Sequence, residues 1–427
     1  MKTSKKVLII TYYWPPSGGS GVQRWMYFAK YLKHYGWIPF IITVDEKYAS
    51  YRVWDKSLVN EVNDIHVSKT KSRELLKWYS LLFTGSKKRG IPQGEVKKNG
   101  LLRRFAAVIR GNFFIPDARK GWNAFAGDEA IKLVKKEKIK IIITTGPPHS
   151  THLIGSRLKS LFDIKWFADF RDPWTAIFYN KDLYRSNWAK KKDTRLEKKI
   201  LRTADAILTT KGGSLVQKLR IKSPEQTFHV LPNGYDAKLM ASIKRTNVSH
   251  FHIVYTGLLT ENQDYRIFTK VLAALSKNNR IRFSLAGQIS GSILNYIKDE
   301  LPRVEIDYKG YLSHENALRL MKSGDLLLNF IFKSAHEDMI SGKLFEYLAT
   351  EIPVLSIGNS NSDVGYIFSE ASFAEMIPSN DKKAIQNFII KAIKEKGKAR
   401  NKLPGIEKWS RDELTKDLID IISKEQL

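Results

Sequence analysis

Short runs of β-branched and aliphatic residues recur along this chain, and between most of them lies enough sequence for one helix. That alternation restricts the fold more than any other feature. In the first half the runs predict strands at Val7–Tyr13, Pro39–Val44, Asp64–Ser68, Lys140–Thr145, Lys165–Phe170, Ala206–Thr210 and Phe228–Leu231. Helical periodicity falls between them at Gly21–Tyr35, Asn123–Lys138, Ser150–Leu161, Asn187–Arg202 and Ser214–Arg220. Ile139–Thr145 is almost uninterrupted Val/Ile/Leu/Thr sequence, which suits a strand covered on both faces, as in a parallel sheet. The second half restarts the pattern, with strands expected at His252–Tyr255, Arg282–Ala286, Glu305–Tyr308, Leu326–Phe330 and Val354–Ile357. Its helices are expected at Tyr265–Lys277, His314–Lys322 and Gly342–Thr350. A chain of 427 residues is too long for one ordinary core. The breaker cluster Leu231-Pro232-Asn233-Gly234-Tyr235-Asp236 divides it, and the reading is two doubly wound α/β domains.

Charge narrows the partners. There are 72 basic against 43 acidic residues, a net of +29, which favours something polyanionic. The excess is regional. Lys69–Lys120 holds 14 basic and 3 acidic residues, and Arg185–Lys222 holds 12 and 3. The first stretch also carries the aromatic-aliphatic runs Leu75–Phe83 and Leu101–Arg110, and this mixture favours an anionic membrane interface. The apolar run Val7–Ile10 is too short for a signal-peptide core, and no stretch approaches the roughly 18–20 apolar residues that span a bilayer. A cytoplasmic protein, peripheral on the inner face of the cell membrane, is expected. With no cysteine, a disulfide framework, a thiolate zinc site and a cysteine nucleophile are excluded.

Four motifs carry chemistry. Pro15-Pro16-Ser17-Gly18-Gly19-Ser20-Gly21 follows the first strand and opens a helix, where glycines let backbone N–H groups approach an anion. It is not the dinucleotide fingerprint, because Arg24 stands where the third glycine belongs. Thr144–His152 ends a strand in a rigid turn with His149 beside a helix start that Ser150 and Thr151 are suited to cap. Asp169-Phe170-Arg171-Asp172 ends another strand, offering either carboxylates for proton transfer or a salt bridge that fixes the loop. In Asp338–Thr350, Ser341 is an apt N-cap, so Gly342, Lys343 and Leu344 would present N–H groups and a cation to a phosphate. Glu346 follows on the same face, placed to accept ribose hydroxyls.

Taken in order, these pieces resemble glycosyltransferase family 4, and the resemblance runs over essentially the whole chain. It implies the GT-B fold: two Rossmann-like, doubly wound domains facing each other across a cleft. An acceptor-binding domain at 1–235, with 69–120 as a basic and aromatic insertion, would precede a nucleotide-sugar domain at 236–405. A C-terminal helix at 406–427 would return toward the first domain. The donor would be an NDP-sugar, UDP- or GDP-linked, with no permanently bound cofactor, no metal and retention of anomeric configuration. The acceptor would be a glycan or lipid-linked hydroxyl of the cell envelope. By position, Gly18 and Gly19 would line the site near diphosphate and acceptor, and His149 would stand beside the transferred sugar. Lys343 would face the diphosphate, Glu346 the ribose, and Asp338 the sugar hydroxyls.

Two departures stand out. Asp338 occupies a place where the family usually has Glu. The loop after Gly257 reads Leu258–Gln263 without a basic residue, so diphosphate neutralisation falls to Lys343, helix N-termini and Arg266. Were the reaction inverting, Asp172 or Asp169 would be the leading base. Two rival readings remain at this stage. One is other GT-B chemistry on nucleotide sugars, such as epimerisation. The other is nucleic-acid binding, which the charge allows but no recognisable nucleic-acid motif supports.

Overall fold

A computed structural model describes residues 5–51, 53–73, 101–246, 248–333, 340–398 and 403–426. Asp338 and the Leu75–Phe83 run lie outside the described residues. The chain divides into two compact units, Met1–Pro232 with Thr415–Leu427, and Asn233–Leu414.

The first unit is built on a seven-stranded parallel sheet of order β3-β2-β1-β4-β5-β6-β7. Its strands are β1 Lys6–Ile10, β2 Ile38–Val44, β3 His66–Thr70, β4 Ile141–Gly146, β5 Lys165–Phe170, β6 Ala206–Thr209 and β7 Phe228–Val230. Every residue of β4 is buried, and the near-continuous apolar sequence follows from helices covering both faces. Ile142, Trp166, Ala168, Ile10 and Trp122 meet in the core beneath the Asn123–Glu137 and Thr151–Leu161 helices.

The second unit repeats the plan with six parallel strands in the order β10-β9-β8-β11-β12-β13. They are β8 Phe251–Thr256, β9 Ile281–Ala286, β10 Glu305–Tyr308, β11 Leu326–Phe330, β12 Val354–Ile357 and β13 Ala374–Ile377. β13 and the helices Gly291–Glu300, Asp363–Ser369 and Lys382–Lys394 are additions to the sequence reading. β13 escapes detection because it is a four-residue edge strand with an exposed Glu375 in its centre. The 69–120 stretch contributes the end of β3 and a helix, Leu101–Phe113. Among the described residues no helix is long and apolar enough to cross a membrane.

In both sheets the chain builds outward on one side of the first strand and then returns to build the other. The strand order therefore reverses between β1 and β4 in one unit and between β8 and β11 in the other. Open α/β sheets bind ligands at the carboxyl ends of the strands flanking such a reversal. The loops after β1 and β4 carry Gly18, Gly19 and His149, and the loop after β8 carries Gly257.

Candidate functional site

In the first unit, Arg24 explains why the glycine loop departs from the dinucleotide pattern. Its guanidinium is buried, with Nη2 2.8 Å from Asp169 Oδ1 and Nη1 donating to the carbonyls of Leu231 and Pro232. Asp169 also accepts from Trp25 Nε1 at 2.6 Å and Thr145 Oγ1 at 2.8 Å. A carboxylate so occupied has no capacity left for general-base chemistry, which removes Asp169 from the candidates. It holds the Ser20–His34 helix to the ends of β4 and β5. Arg171, expected between two carboxylates, instead donates to three carbonyls: Gly21 at 2.6 Å, Gly146 at 3.1 Å and Pro147. One side chain thus ties the loop after β1 to the turn after β4. Asp172 is half-buried beside it and forms no hydrogen bond among the described residues.

The two glycines of the loop differ. The Gly18 N–H is spent on the Val53 carbonyl at 2.9 Å, so it is not offered to a ligand. Gly19 has a left-handed φ of 92°, precedes a helix with no side-chain cap, and has open space where a Cβ would project.

His149 is buried and stacked on Trp174, with ring centroids 5.1 Å apart and planes 7° from parallel. Neither of its ring nitrogens has a hydrogen-bond partner among the described residues. Burial, then the neighbouring His152 and Arg171, hold its pKa well below the usual imidazole range, so the ring is neutral at pH 7. His152, stacked on Phe170, is depressed to about 3 chiefly by burial. The turn itself demands glycine, since a Cβ on Gly146 would lie 2.7 Å from both His149 Nδ1 and His152 Nε2. Ser150 does not cap the following helix as expected. Its hydroxyl donates to Asp117 at 2.9 Å and its N–H at 2.7 Å, so Asp117 grips the turn from outside. Thr151 Oγ1 caps nothing either. His149 lines a pocket of about 70 Å³ with Tyr13, Asp117, Arg119, Trp174 and Asn180. Aromatic faces among hydroxyl-pairing polar groups suit a sugar.

In the second unit, Lys343 is the centre. Its Nζ donates to the Thr256 carbonyl at 2.5 Å and lies 3.9 Å above the Tyr255 ring and 5.3 Å from that of Tyr347. Burial lowers its pKa to about 7. Gly257 leaves β8 at φ 123°, and a Cβ there would meet Lys343 Nζ at 3.5 Å. The next strand end closes on it, because a Cβ on Gly287 would come within 2.0 Å of the Gly257 oxygen. Both glycines are needed to bring these two backbones together.

Glu346 is buried, and His314 Nε2 at 2.7 Å and Arg411 Nη2 at 3.4 Å both reach its Oε1. Burial alone raises its pKa, but His314 and Arg411 outweigh that and hold it below the usual carboxylate value. It is therefore a fixed, ionised acceptor.

Three expectations change here. The helix begins at Leu344, not Gly342, and Ser341 accepts the Leu344 N–H through its backbone carbonyl at 3.0 Å without capping by its side chain. Gly342 is half-buried in that turn. Leu344 contributes a buried core side chain, and its N–H is already used. Arg266 is committed elsewhere, 3.2 Å from Glu261 and 4.2 Å over the Tyr296 ring. Sequence reasoning missed His314, Arg411, Tyr255, Tyr347 and Trp174. Only Tyr347, four residues after Lys343 on one helix face, left a local signal. Among the described residues no group of three His, Asp or Glu side chains is placed to hold a metal.

Residues 266–401 match the family described as glycosyl transferase-like. Among curated proteins none matches the chain by sequence. Solved structures match over nearly the full length. A sucrose-phosphate synthase from Thermosynechococcus elongatus superposes with a TM-score of 0.64 at 13% identity, covering 98% of both chains. A glycosyltransferase from Rickettsia africae does so with 0.61 at 14% identity and 99% of both. Anabaena Alr3699/HepE, in complex with UDP-glucose, gives 0.61 at 11% identity over 98% of this chain and 99% of that one. The fold is GT-B.

Proposed function

We propose that this protein is a glycosyltransferase that moves a sugar from an NDP-sugar to a hydroxyl of a cell-envelope polysaccharide or lipid-linked acceptor, with retention. One observation carries the reading most directly. At the carboxyl end of β8 a half-buried lysine and, one turn on, a carboxylate held ionised by histidine and arginine would supply one partner for a diphosphate and one for a ribose. The UDP-glucose complex of Alr3699/HepE, a protein of the same fold, supports a uridine donor.

The acceptor hydroxyl would attack the anomeric carbon while negative charge grows on the departing diphosphate. Lys343 would stabilise that charge, gaining its full ammonium character as the phosphates arrive. The leaving phosphate oxygen would take the acceptor proton on the same face, so no side-chain base is required. Neutral His149, whose ring nitrogens have no partner among the described residues, would hydrogen-bond the transferred sugar, and Asp338 would contact its hydroxyls. The acceptor would enter the pocket beside Trp174. Asp172 stays as the base only for an inverting course.

The test is nucleotide release from a panel of UDP-, GDP-, ADP- and dTDP-sugars, with and without bacterial lipid extract, followed by determination of the product's anomeric configuration. Release from one donor, stimulated by lipid and lost in Glu346→Ala, is expected. Unchanged nucleotide binding in Glu346→Ala would sink the donor-site assignment, and an inverted product would sink retention.

A further inference from the structure

The Asn187–Thr203 helix has an unusual division of charge. Lys190, Lys191, Lys192, Arg195, Lys198, Lys199 and Arg202 are all exposed. Its only two acidic residues face inward and are neutralised there. Asp193 pairs with Arg185 and accepts from Trp174 Nε1, while Glu197 accepts from Lys222 at 2.6 Å. The outer face is therefore purely cationic. A helix needing only solubility would gain from mixed signs, and like charges three and four residues apart destabilise it.

Large apolar side chains border this face. Trp188 is 62% exposed at the start of the helix, beneath Lys192 at 4.8 Å. On the neighbouring Leu101–Phe113 helix, Phe105 is 57% and Phe113 71% exposed. Hydrogen bonds and a cation–ring contact join the two helices into one surface. Asn112 Nδ2 donates to the Tyr184 carbonyl at 3.2 Å, and Asn112 Oδ1 accepts the Ser186 N–H at 2.8 Å. Arg104 lies 5.1 Å over the exposed Tyr184 ring. Lys120 donates to the Phe113 carbonyl at 2.8 Å and feels the charge of Lys192, which closes the circuit from Phe113 to Trp188.

We infer that this surface docks on an anionic bilayer, with the two helices lying along it and Trp188, Phe105, Phe113 and Tyr184 at headgroup level. Interleaved cations and aromatics on one face match such an interface, where the lysines meet anionic headgroups and the rings leave water. Phenylalanines without a polar handle gain most from hydrocarbon, which favours a bilayer over a nucleic acid. A second copy of the same face would be repelled by its own charge. The surface also adjoins the His149 pocket: Phe114 and Arg185, which line that pocket, directly follow the exposed Phe113 and Tyr184. If the glycosyltransferase reading holds, an acceptor anchored in lipid would reach His149 from this side.

The experiment is sedimentation of the full-length protein with phosphatidylcholine vesicles, with and without roughly a third phosphatidylglycerol, at low salt. Binding only to the anionic vesicles is expected. The triple change Lys191→Glu, Lys198→Glu, Lys199→Glu should weaken partition at least a hundredfold, at roughly fivefold or more per lysine. The corresponding Lys→Arg triple should bind like wild type, and Trp188→Ser with Phe105→Ser should lose about tenfold or more. Circular dichroism checks that each variant is folded. A wild-type protein that ignores anionic vesicles, charge-reversed variants that bind as well as wild type, or tighter retention on duplex or single-stranded nucleic acid would each overturn the inference. A parallel titration with UDP-, GDP-, ADP- and dTDP-sugars separates the two readings. Donor binding without vesicle binding defeats the docking surface alone, and vesicle binding without binding of any nucleotide sugar defeats the enzymatic assignment alone.

Discussion

The two units repeat one sheet plan, yet they treat charge at the strand reversal in opposite ways. In the first, both arginines are spent on structure: Arg24 on Asp169 and two carbonyls, Arg171 on three more. Among the residues lining the pocket, His149 is a neutral imidazole with no hydrogen-bond partner among the described residues, stacked on an indole. In the second, Lys343 has one carbonyl partner and two aromatic rings among the described residues, and burial lowers its pKa to about 7. Glu346, by contrast, is held fully ionised. A neutral imidazole suits hydroxyl groups, whereas a lysine short of counter-charge suits a diphosphate. On the proposed reading the same topology would serve two ligand chemistries, the difference lying in whether a cation is already satisfied by the protein.

That contrast can be broken at several points. The largest effect should come from Asp169→Ala, which strands the Arg24 guanidinium in the interior and should cost about 3–5 kcal/mol of stability in chemical denaturation. Lys343→Ala should leave the fold intact but lower transfer by roughly 10²–10³-fold, because it removes the cation aimed at the leaving group. If Lys343→Ala unfolds the protein and Asp169→Ala does not, the division into structural and ligand-directed charges is wrong. His149→Ala should reduce transfer by roughly 10²-fold and weaken the sugar donor while leaving the free nucleotide's affinity unchanged, whereas His149→Phe should keep the Trp174 stack and still fail. Isothermal titration with donor separates these outcomes.

Per unit change, the smallest expected effect is a pH dependence. With Lys343 near 7 in the free protein, donor binding above that pH must take up a proton. Affinity should be level below pH 7 and fall as pH rises, by up to about tenfold per unit. Stability should move the other way. The folded pKa lies below the ordinary lysine value of 10.5, so the unfolded chain holds more protons between about pH 7 and 10.5. Stability therefore rises with pH through that window, and Lys343→Met should remove the rise. An affinity profile that is flat from pH 7 to 9 would show that Lys343 does not meet the diphosphate.

Much of this molecule was legible in one dimension, because parallel strands covered on both faces write their burial into adjacent residues. Ile141–Gly146, Lys165–Phe170 and Leu326–Phe330 announce themselves as apolar runs, and the alternation of such runs with helices dictates a doubly wound sheet. Positions at strand ends could also be named, since Gly19, His149 and Gly257 belong to turns that local chemistry specifies. What each polar side chain does with its charge was not legible. Arg24 and Asp169 are 145 residues apart, and Lys343 and the Thr256 carbonyl 87. Only folding brings them within hydrogen-bonding distance, and only burial converts that proximity into a shifted pKa. The pattern of hydrophobicity determined the architecture because it acts through near neighbours. The pairing of Asp169 with Arg24, of Lys343 with the Thr256 carbonyl, and of Glu346 with its histidine and arginine was decided by long-range contacts that exist only in the tertiary structure.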